Sequence, residues 1–323
     1  MIAPAFSARI RSVRRLIRGA IALSTGVAAI AAAPLLAAQR TQPSPPHTRV
    51  VLLGTGTPRP LPQRSGPGTA IVVNDVAYLV DCGPGIVRRA AAAAEKGVTA
   101  LEPKRLRTVF VTHLHSDHTT GYPDLILAPW VMGRTEPLRV YGPKGIVAMT
   151  DHVLQAWKED IAIRTRGEGG RTPVAVEPHE IDAGVVYQDA NVAVTAFRAR
   201  HGEIQEAFGY SFKTRDRTIV ISGDTSPNPD LIEACRRCDV LIHEVYASTA
   251  MAPMSNWLEY REQHHTSTRQ LAEIATTTQP GLLILYHIAQ RGPDGTIAED
   301  QYLREIKATY KGKVVIGHDL DIY

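Results

Sequence analysis

The sequence is short of cysteine, of charge of one sign and of long unbroken apolar runs. Three cysteines occur in 323 residues: Cys82, Cys235 and Cys238. Cys235 and Cys238 read as one helical face, and a bridge between them would close only a small loop. No second C-x-x-C and no neighbouring histidine accompanies them, which argues against a cysteine-held zinc. They are expected as a structural pair or as two free thiols. Cys82, beside Asp81, reads as a small core residue. No internal repeat is evident, so the chain reads as one large or two small domains rather than an array.

The formal charge of +4 is misleading. Arg9, Arg11, Arg14, Arg15 and Arg18 lie ahead of an Ala-rich apolar run, Ile21 to Ala38. That run is interrupted by Ser24, Thr25, Gly26 and Pro34, and polar Gln39–Gln42 follows it. The pattern is that of a secretory signal peptide rather than a membrane anchor. Cleavage is expected near Ala33 to Ala38. The Arg14-Arg15 pair hints at the twin-arginine route, but its surroundings match that signal poorly. No cysteine sits at the cleavage region, which argues against a lipoprotein. The expected division is a signal peptide over 1–38, a Pro-rich linker over 39–47 and one folded domain over 48–323, in a periplasmic or secreted protein. Residues 1–38 hold five arginines and no acid, so without them the net charge becomes −1. The basic balance is then weak evidence for a nucleic-acid partner.

What is present is a dense cluster of ligand-type side chains. His113, His115, Asp117 and His118 fall within six residues, directly after the apolar stretch Thr108–Val111. Residues two apart near a strand end share a face, so His113 and His115 can converge on one ion. Asp117 and His118 can reach a second. Imidazoles with a carboxylate suit zinc, and also manganese or iron.

Other segments repeat the theme. Val50–Leu53 reads as a strand stopped by Gly54-Thr-Gly-Thr57; the prolines that follow remove the helix N-terminus a dinucleotide site needs. Ala70–Val73 and Ala77–Val80 read as a hairpin around Asn74-Asp75. A helix is expected from Ile86 to Lys96, a strand over Leu138–Tyr141, and a helix from Ile146 to Trp157. Arg164 to Thr172 reads as a loop. Glu177 to Ala199 alternates enough for two or three strands. Phe208–Phe212 and Arg217–Ile221 pair ahead of Asp224, Leu231 to Cys238 is helical, and Val240–Val245 is a strand. His265 precedes a helix over Ser267–Thr276, Gly281–Tyr286 delivers His287, and Lys313–Ile316 is the last strand. Ala252–Gln263 is expected as a loop or lid. Strands thus end in His113/His115, His201, Asp224 and His287, and ligands at strand ends gather along one edge of the sheets. Interleaved strands and helices imply an α/β layered sandwich.

Leu53-Gly-Thr-Gly56, Val80-Asp-Cys-Gly83, the run from Thr112 to Leu125, Ser222-Gly-Asp-Thr225, His243-Glu244, His265–Thr268 and Tyr286-His287 together resemble the metallo-β-lactamase-fold hydrolases. Within them the chain looks most like the ribonuclease Z and arylsulfatase-like branch. The resemblance implies a four-layer αββα sandwich. It implies one ion on His113, His115 and His201, a second on Asp117, His118 and His287, and Asp224 bridging them. Asp117 and His265 are the implied catalytic residues, with His265 a proton donor or phosphate ligand and Arg291 a contact to the substrate anion. Asp81 and Glu244 are expected to brace these groups, while His152, His179, His243 and His318 receive no role. Two divalent ions, zinc foremost, would activate a bridging water.

Ribonuclease Z carries a long tRNA-gripping arm between the segments holding His201 and Asp224, and here only 23 positions separate them. The expected substrate is therefore a small anionic ester, a phosphodiester or an aryl sulfate, with no nucleic acid and no stable membrane anchor as partner. A homodimer is compatible with the sequence. The alternative is a lactonase or β-lactamase acting on a cyclic carbonyl, and a non-catalytic metal-binding module is the third reading.

Overall fold

Strict alternation of apolar side chains builds the core. β1 (Arg49–Gly54), β2 (Gly68–Val73) and β3 (Val76–Val80) send Val51, Leu53, Val72 and Leu79 to one face and Val50, Leu52, Ile71 and Tyr78 to the other. Asn74 and Asp75, at φ 47° and 63°, form the β2–β3 turn. A two-residue hairpin needs positive φ at both positions, which Asn and Asp tolerate. The structure is a computed structural model and describes residues 48–167, 172–249, 255–289 and 298–323. The expected leader and linker lie outside the described residues, as does Arg291.

β4 (Thr108–Phe110), β5 (Leu138–Gly142) and β6 (Val176–Glu180) complete a six-stranded sheet ordered β1 to β6. Helices α1 (Ile86–Glu95), the short α2 (Ser116–Thr119), α3 (Tyr122–Val131), α4 (Ile146–Ala156) and α5 (Lys158–Arg166) belong to this half. The second sheet holds seven strands: β7 (Gly184–Gln188), β8 (Ala193–Arg198), β9 (Phe208–Lys213), β10 (Thr218–Ile221), β11 (Val240–Tyr246), β12 (Leu282–Ala289) and β13 (Val314–Ile316). α6 (Pro229–Ala234), α7 (Ser255–His264), α8 (Thr268–Thr278) and α9 (Glu299–Thr309) accompany it.

Three apolar clusters give the layering. Ile86, Ala90, Leu125 and Ile146 pack on the outer face of the first sheet. Tyr210, Phe212, Ile219, Ile242 and Ile284 meet the first sheet's inner face. Leu271, Ala275, Tyr302 and Ile306 cover the outer face of the second sheet, over Val220, Leu241 and Leu283. The result is the expected αββα sandwich.

Several boundaries differ from the sequence reading. α5 runs through Arg166, because Glu159 and Asp160 in its first turn and an Arg164–Asp160 pair favour helix where a loop was expected. α6 is shorter than expected. Asn228 caps it by accepting from the Asp230 N–H, Pro229 starts it, and Arg237 at φ 55° ends the run before β11. Cys235 and Cys238 form a disulfide across this turn and not along a helical face. The Glu177–Ala199 region divides: β6 joins the first sheet, β7 and β8 the second. α7 occupies most of the expected 252–263 loop.

Residues 318–323 close the first sheet. Val50 and Tyr323 exchange N–H···O bonds of 2.9 Å, and the Leu320 N–H donates to the Leu52 carbonyl. The Asp319 carboxylate accepts from the Thr55 N–H and hydroxyl and from the Ser65 N–H.

Candidate metal centre

The metal-type side chains converge from five places in the fold. The turn after β4 supplies His113 and His115, α2 supplies Asp117 and His118, and the exits of β8 and β10 supply His201 and Asp224. His287 was expected just past a strand; it lies inside β12. Glu244 pairs with Tyr286 and Val245 with Ile288, so His287 is the extra residue of a bulge, at φ 43°. The bulge turns this side chain out of the ladder and into the site.

His113 Nε2, His115 Nδ1 and His201 Nε2 form one group, with spacings of 3.0 Å and 3.2 Å about His115. The hydrogen-bond network sets the tautomers. His201 Nδ1–H donates to the His264 carbonyl at 2.8 Å. The Thr112 hydroxyl faces Asp81 at 3.0 Å and so accepts from His113 Nδ1–H. Both Nε2 atoms therefore turn lone pairs inward. Ligating nitrogens about 2.0–2.1 Å from a zinc ion sit roughly 3.3 Å apart in a tetrahedron, close to what is seen. Burial holds His113 well below the ordinary imidazole range, pushes His201 down to about 4 and lowers His115. All three are neutral at pH 7, as ligands must be.

Asp117, His118 and His287 form the second group. His287 Nε2 lies 3.2 Å from Asp117 Oδ2 and 3.5 Å from Asp224 Oδ2. His118 Nδ1–H donates to Asp81 at 2.8 Å, which aims Nε2 inward, 3.5 Å from Asp224 Oδ1. His118 Nε2 and Asp224 Oδ1 are buried, and neither has a hydrogen-bond partner among the described residues. Orphaned atoms of this kind are costly unless a cation meets them. Asp224 lies between the two groups and also joins His201 and His265 in a third. Burial alone would raise the Asp224 carboxyl, but His287 and His118 hold it well below the carboxylate range. Burial would depress His118, yet Asp224 and Asp81 lift it well above its ordinary value. The residues present fit divalent cations.

His265 stands at the rim, its Nδ1 3.3 Å from Glu244 Oε1. Burial opposes its protonation, but the Glu244 carboxylate prevails and lifts it to about 9. Glu244 is fully buried and also accepts from the Thr266 and Thr225 N–H groups. Asp81 accepts from the Thr112 N–H at 2.8 Å as well as from His118.

The glycines of the recurring sequence motifs hold loops together rather than cradling phosphate. A Cβ on Gly54 would lie 1.8 Å from the Gly66 carbonyl oxygen; one on Gly66 would lie 2.2 Å from Pro84 Cδ and 3.0 Å from the Asp117 carbonyl oxygen. The 54–66 loop is thus pressed against the backbone that carries Asp117. Between them lies a cavity of about 440 Å³, lined by Pro58, Arg59, Leu61, Ser116, Asp117 and Thr120 among others.

Thr112 and His264 escaped the sequence reading as contributors. Thr112 links Asp81 to both His113 and His118, and it stands inside the histidine-rich motif. His264 acts through its carbonyl, for which residue type carries no signal.

Two facing sheets with a histidine–aspartate centre along their common edge define the metallo-β-lactamase-fold class of metal-dependent hydrolases. The profile described as "Beta-lactamase superfamily domain" matches residues 77–288. Ribonuclease Z of Mycobacterium bovis (strain BCG / Pasteur 1173P2) is 31% identical over 279 residues, covering 84% of this chain and 96% of that protein. The chain belongs to this superfamily, in its ribonuclease Z branch. In fold it is similar to YhfI from Bacillus subtilis (TM-score 0.65, 19% identity, 86% of this chain and 99% of that one). It is likewise similar to the short form of human tRNase Z (TM-score 0.62, 22% identity, 85% and 98%).

These likenesses overturn one expectation. Nucleic acid was excluded as a partner because the chain has no room for a long arm and carries an export-type leader. A 279-residue alignment over 84% of this chain leaves no room for a long inserted arm in the Mycobacterium bovis protein either, and it is named ribonuclease Z. A short His201–Asp224 interval therefore gives no ground for the exclusion.

Proposed function

We propose that this chain hydrolyses phosphodiester bonds at a centre of two zinc ions, with nucleic-acid phosphodiesters among its candidate substrates. The observation that carries the reading is the convergence of His113, His115 and His201 beside Asp117, His118 and His287, with Asp224 facing both groups. Zinc bound there would acidify a coordinated water towards a pKa of about 7 and neutralise charge on the phosphoryl oxygens. The rest is supplied by the chain. Thr112 and Asp81 fix the rings of His113 and His118, so the Nε2 atoms they aim inward need no reorientation. As water adds to phosphorus and the bond to the leaving oxygen breaks, His265 gives that oxygen a proton. Glu244 keeps His265 charged until then.

Export is part of the proposal. The Arg-rich segment followed by Ile21–Ala38 supports it, as does a Cys235–Cys238 disulfide, a bond suited to an oxidising compartment.

The test is turnover by zinc-loaded protein of bis(p-nitrophenyl) phosphate, a precursor tRNA, an aryl sulfate, a lactone and nitrocefin. Phosphodiester cleavage that falls by about 10²–10⁴-fold in His265→Ala is expected. Turnover of the lactone or nitrocefin alone would overturn the reading. Mass spectrometry of the protein made in bacteria should find an N-terminus near residues 33–38, and retention of residues 1–38 would refute export.

A further inference from the structure

A second hollow, of about 280 Å³, lies on the His201 side of the centre, lined by Glu203, Glu259, Tyr260, Gln263 and His264. Its floor is aromatic. The Tyr260 and His264 rings stack at 4.0 Å with 18° between their planes. The Tyr260 ring lies 6.0 Å from that of His265, and the His264 ring 5.2 Å from that of His201. We propose that this aromatic shelf receives a planar ring, aryl or nucleobase, carried by the leaving group of the substrate.

The inference rests on the phosphodiesterase reading above, because the group attached to the oxygen that His265 protonates must depart past His265. The shelf is held against the reacting residues at its His264 end. His201 Nδ1–H donates to the His264 carbonyl, and the Gly202 N–H donates to the Gln263 carbonyl at 3.0 Å. Gly202 takes φ 57°, and a Cβ there would lie 1.9 Å from His264 Nε2. Only glycine lets the ligand-bearing turn and the shelf approach this closely. The lining also selects the occupant's chemistry. Two carboxylates, Glu203 and Glu259, repel a further phosphate, so the hollow does not suit the next phosphate of a chain. They accept from N–H or O–H donors, which the edge of a nucleobase or a hydroxylated aryl ring presents. The face of such a ring meets an aromatic surface, a contact indifferent to which ring it is.

The experiment uses the full zinc-loaded chain with bis(p-nitrophenyl) phosphate as substrate. Tyr260→Ala should raise KM about tenfold, the size of a lost ring–ring contact, with zinc content unchanged. Tyr260→Phe, which keeps the ring, should restore the wild-type KM. Adenosine and p-nitrophenol should inhibit competitively, ribose should not, and the stronger of the two inhibitors identifies the kind of ring preferred. An unchanged KM in Tyr260→Ala, in an enzyme that still turns over the substrate, overturns the shelf and leaves the phosphodiesterase reading standing. If the wild type cleaves no phosphodiester, that reading fails. The shelf is then judged by ligand-observed NMR of adenosine and p-nitrophenol, and equal binding by wild type and Tyr260→Ala overturns it.

Discussion

Asp81→Asn isolates the contribution of a single buried charge. Asp81 is 1% exposed and sits at φ 61°, a conformation that asparagine also tolerates. The change keeps size and backbone while removing the carboxylate. That carboxylate accepts from the Thr112 N–H at 2.8 Å, the Thr112 hydroxyl at 3.0 Å and His118 Nδ1–H at 2.8 Å. An amide can still satisfy Thr112 through its oxygen. Its NH2 group would then face His118 Nδ1, favouring the tautomer with the proton on Nε2, the atom aimed at the second cation. Removing a partner of this kind weakens metal binding by about 10–100-fold, or about 1.4–2.7 kcal/mol. Losing charge-assisted hydrogen bonds should separately cost the metal-free fold about 1.5–3 kcal/mol. Zinc titration against a chromophoric chelator reads the first effect, and urea unfolding of the metal-free protein reads the second. A zinc Kd within twofold of wild type, in a folded variant, would refute the argument that Asp81 governs His118.

Three further outcomes are expected. Glu244→Gln should move the alkaline limb of kcat/KM to lower pH: the acid must be protonated, activity is lost as pH rises through its pKa, and Glu244 holds His265 near 9. An unmoved limb in pH–rate profiles would assign the acid elsewhere. Zinc uptake at pH 7 should expel a proton from His118, which Asp224 and Asp81 keep charged in the metal-free protein. Affinity should therefore rise with pH, and calorimetry in buffers of different ionisation enthalpy should show the release. Gly66→Ala should cost about 1–3 kcal/mol by forcing apart Pro84 and the Asp117 backbone. Thermal denaturation measures this loss, and zinc affinity should fall with it.

The sandwich and the convergence of the histidine and aspartate side chains were legible because both rest on local pattern. Alternating apolar residues fixed β1 to β3, and strand-end histidines and aspartates announced where the sheets' edges would meet. What escaped depends on contacts distant in sequence. Nothing near His287 signals that β12 continues past it, since the bulge is defined only against Glu244 and Val245 in β11. His264 serves through a carbonyl, and α7 lacks an amphipathic stripe by which to be recognised. The Gly54–Gly56 pair looked like a weak phosphate loop because close packing and phosphate binding demand the same residue. The arm argument failed for another reason: it took one length of insertion to mark the whole ribonuclease Z branch.

The bonding of residues 318–323 to Val50, Leu52, Thr55 and Ser65 has a temporal consequence. During synthesis, β1 emerges about 270 residues before the segment that covers its free edge. Until Asp319 arrives, the loop pressed behind Asp117 lacks the carboxylate that gathers its amides. The 54–66 loop can take its final form only once Asp319 has been made. Asp319→Ala should then blunt metal capture without touching any ligand.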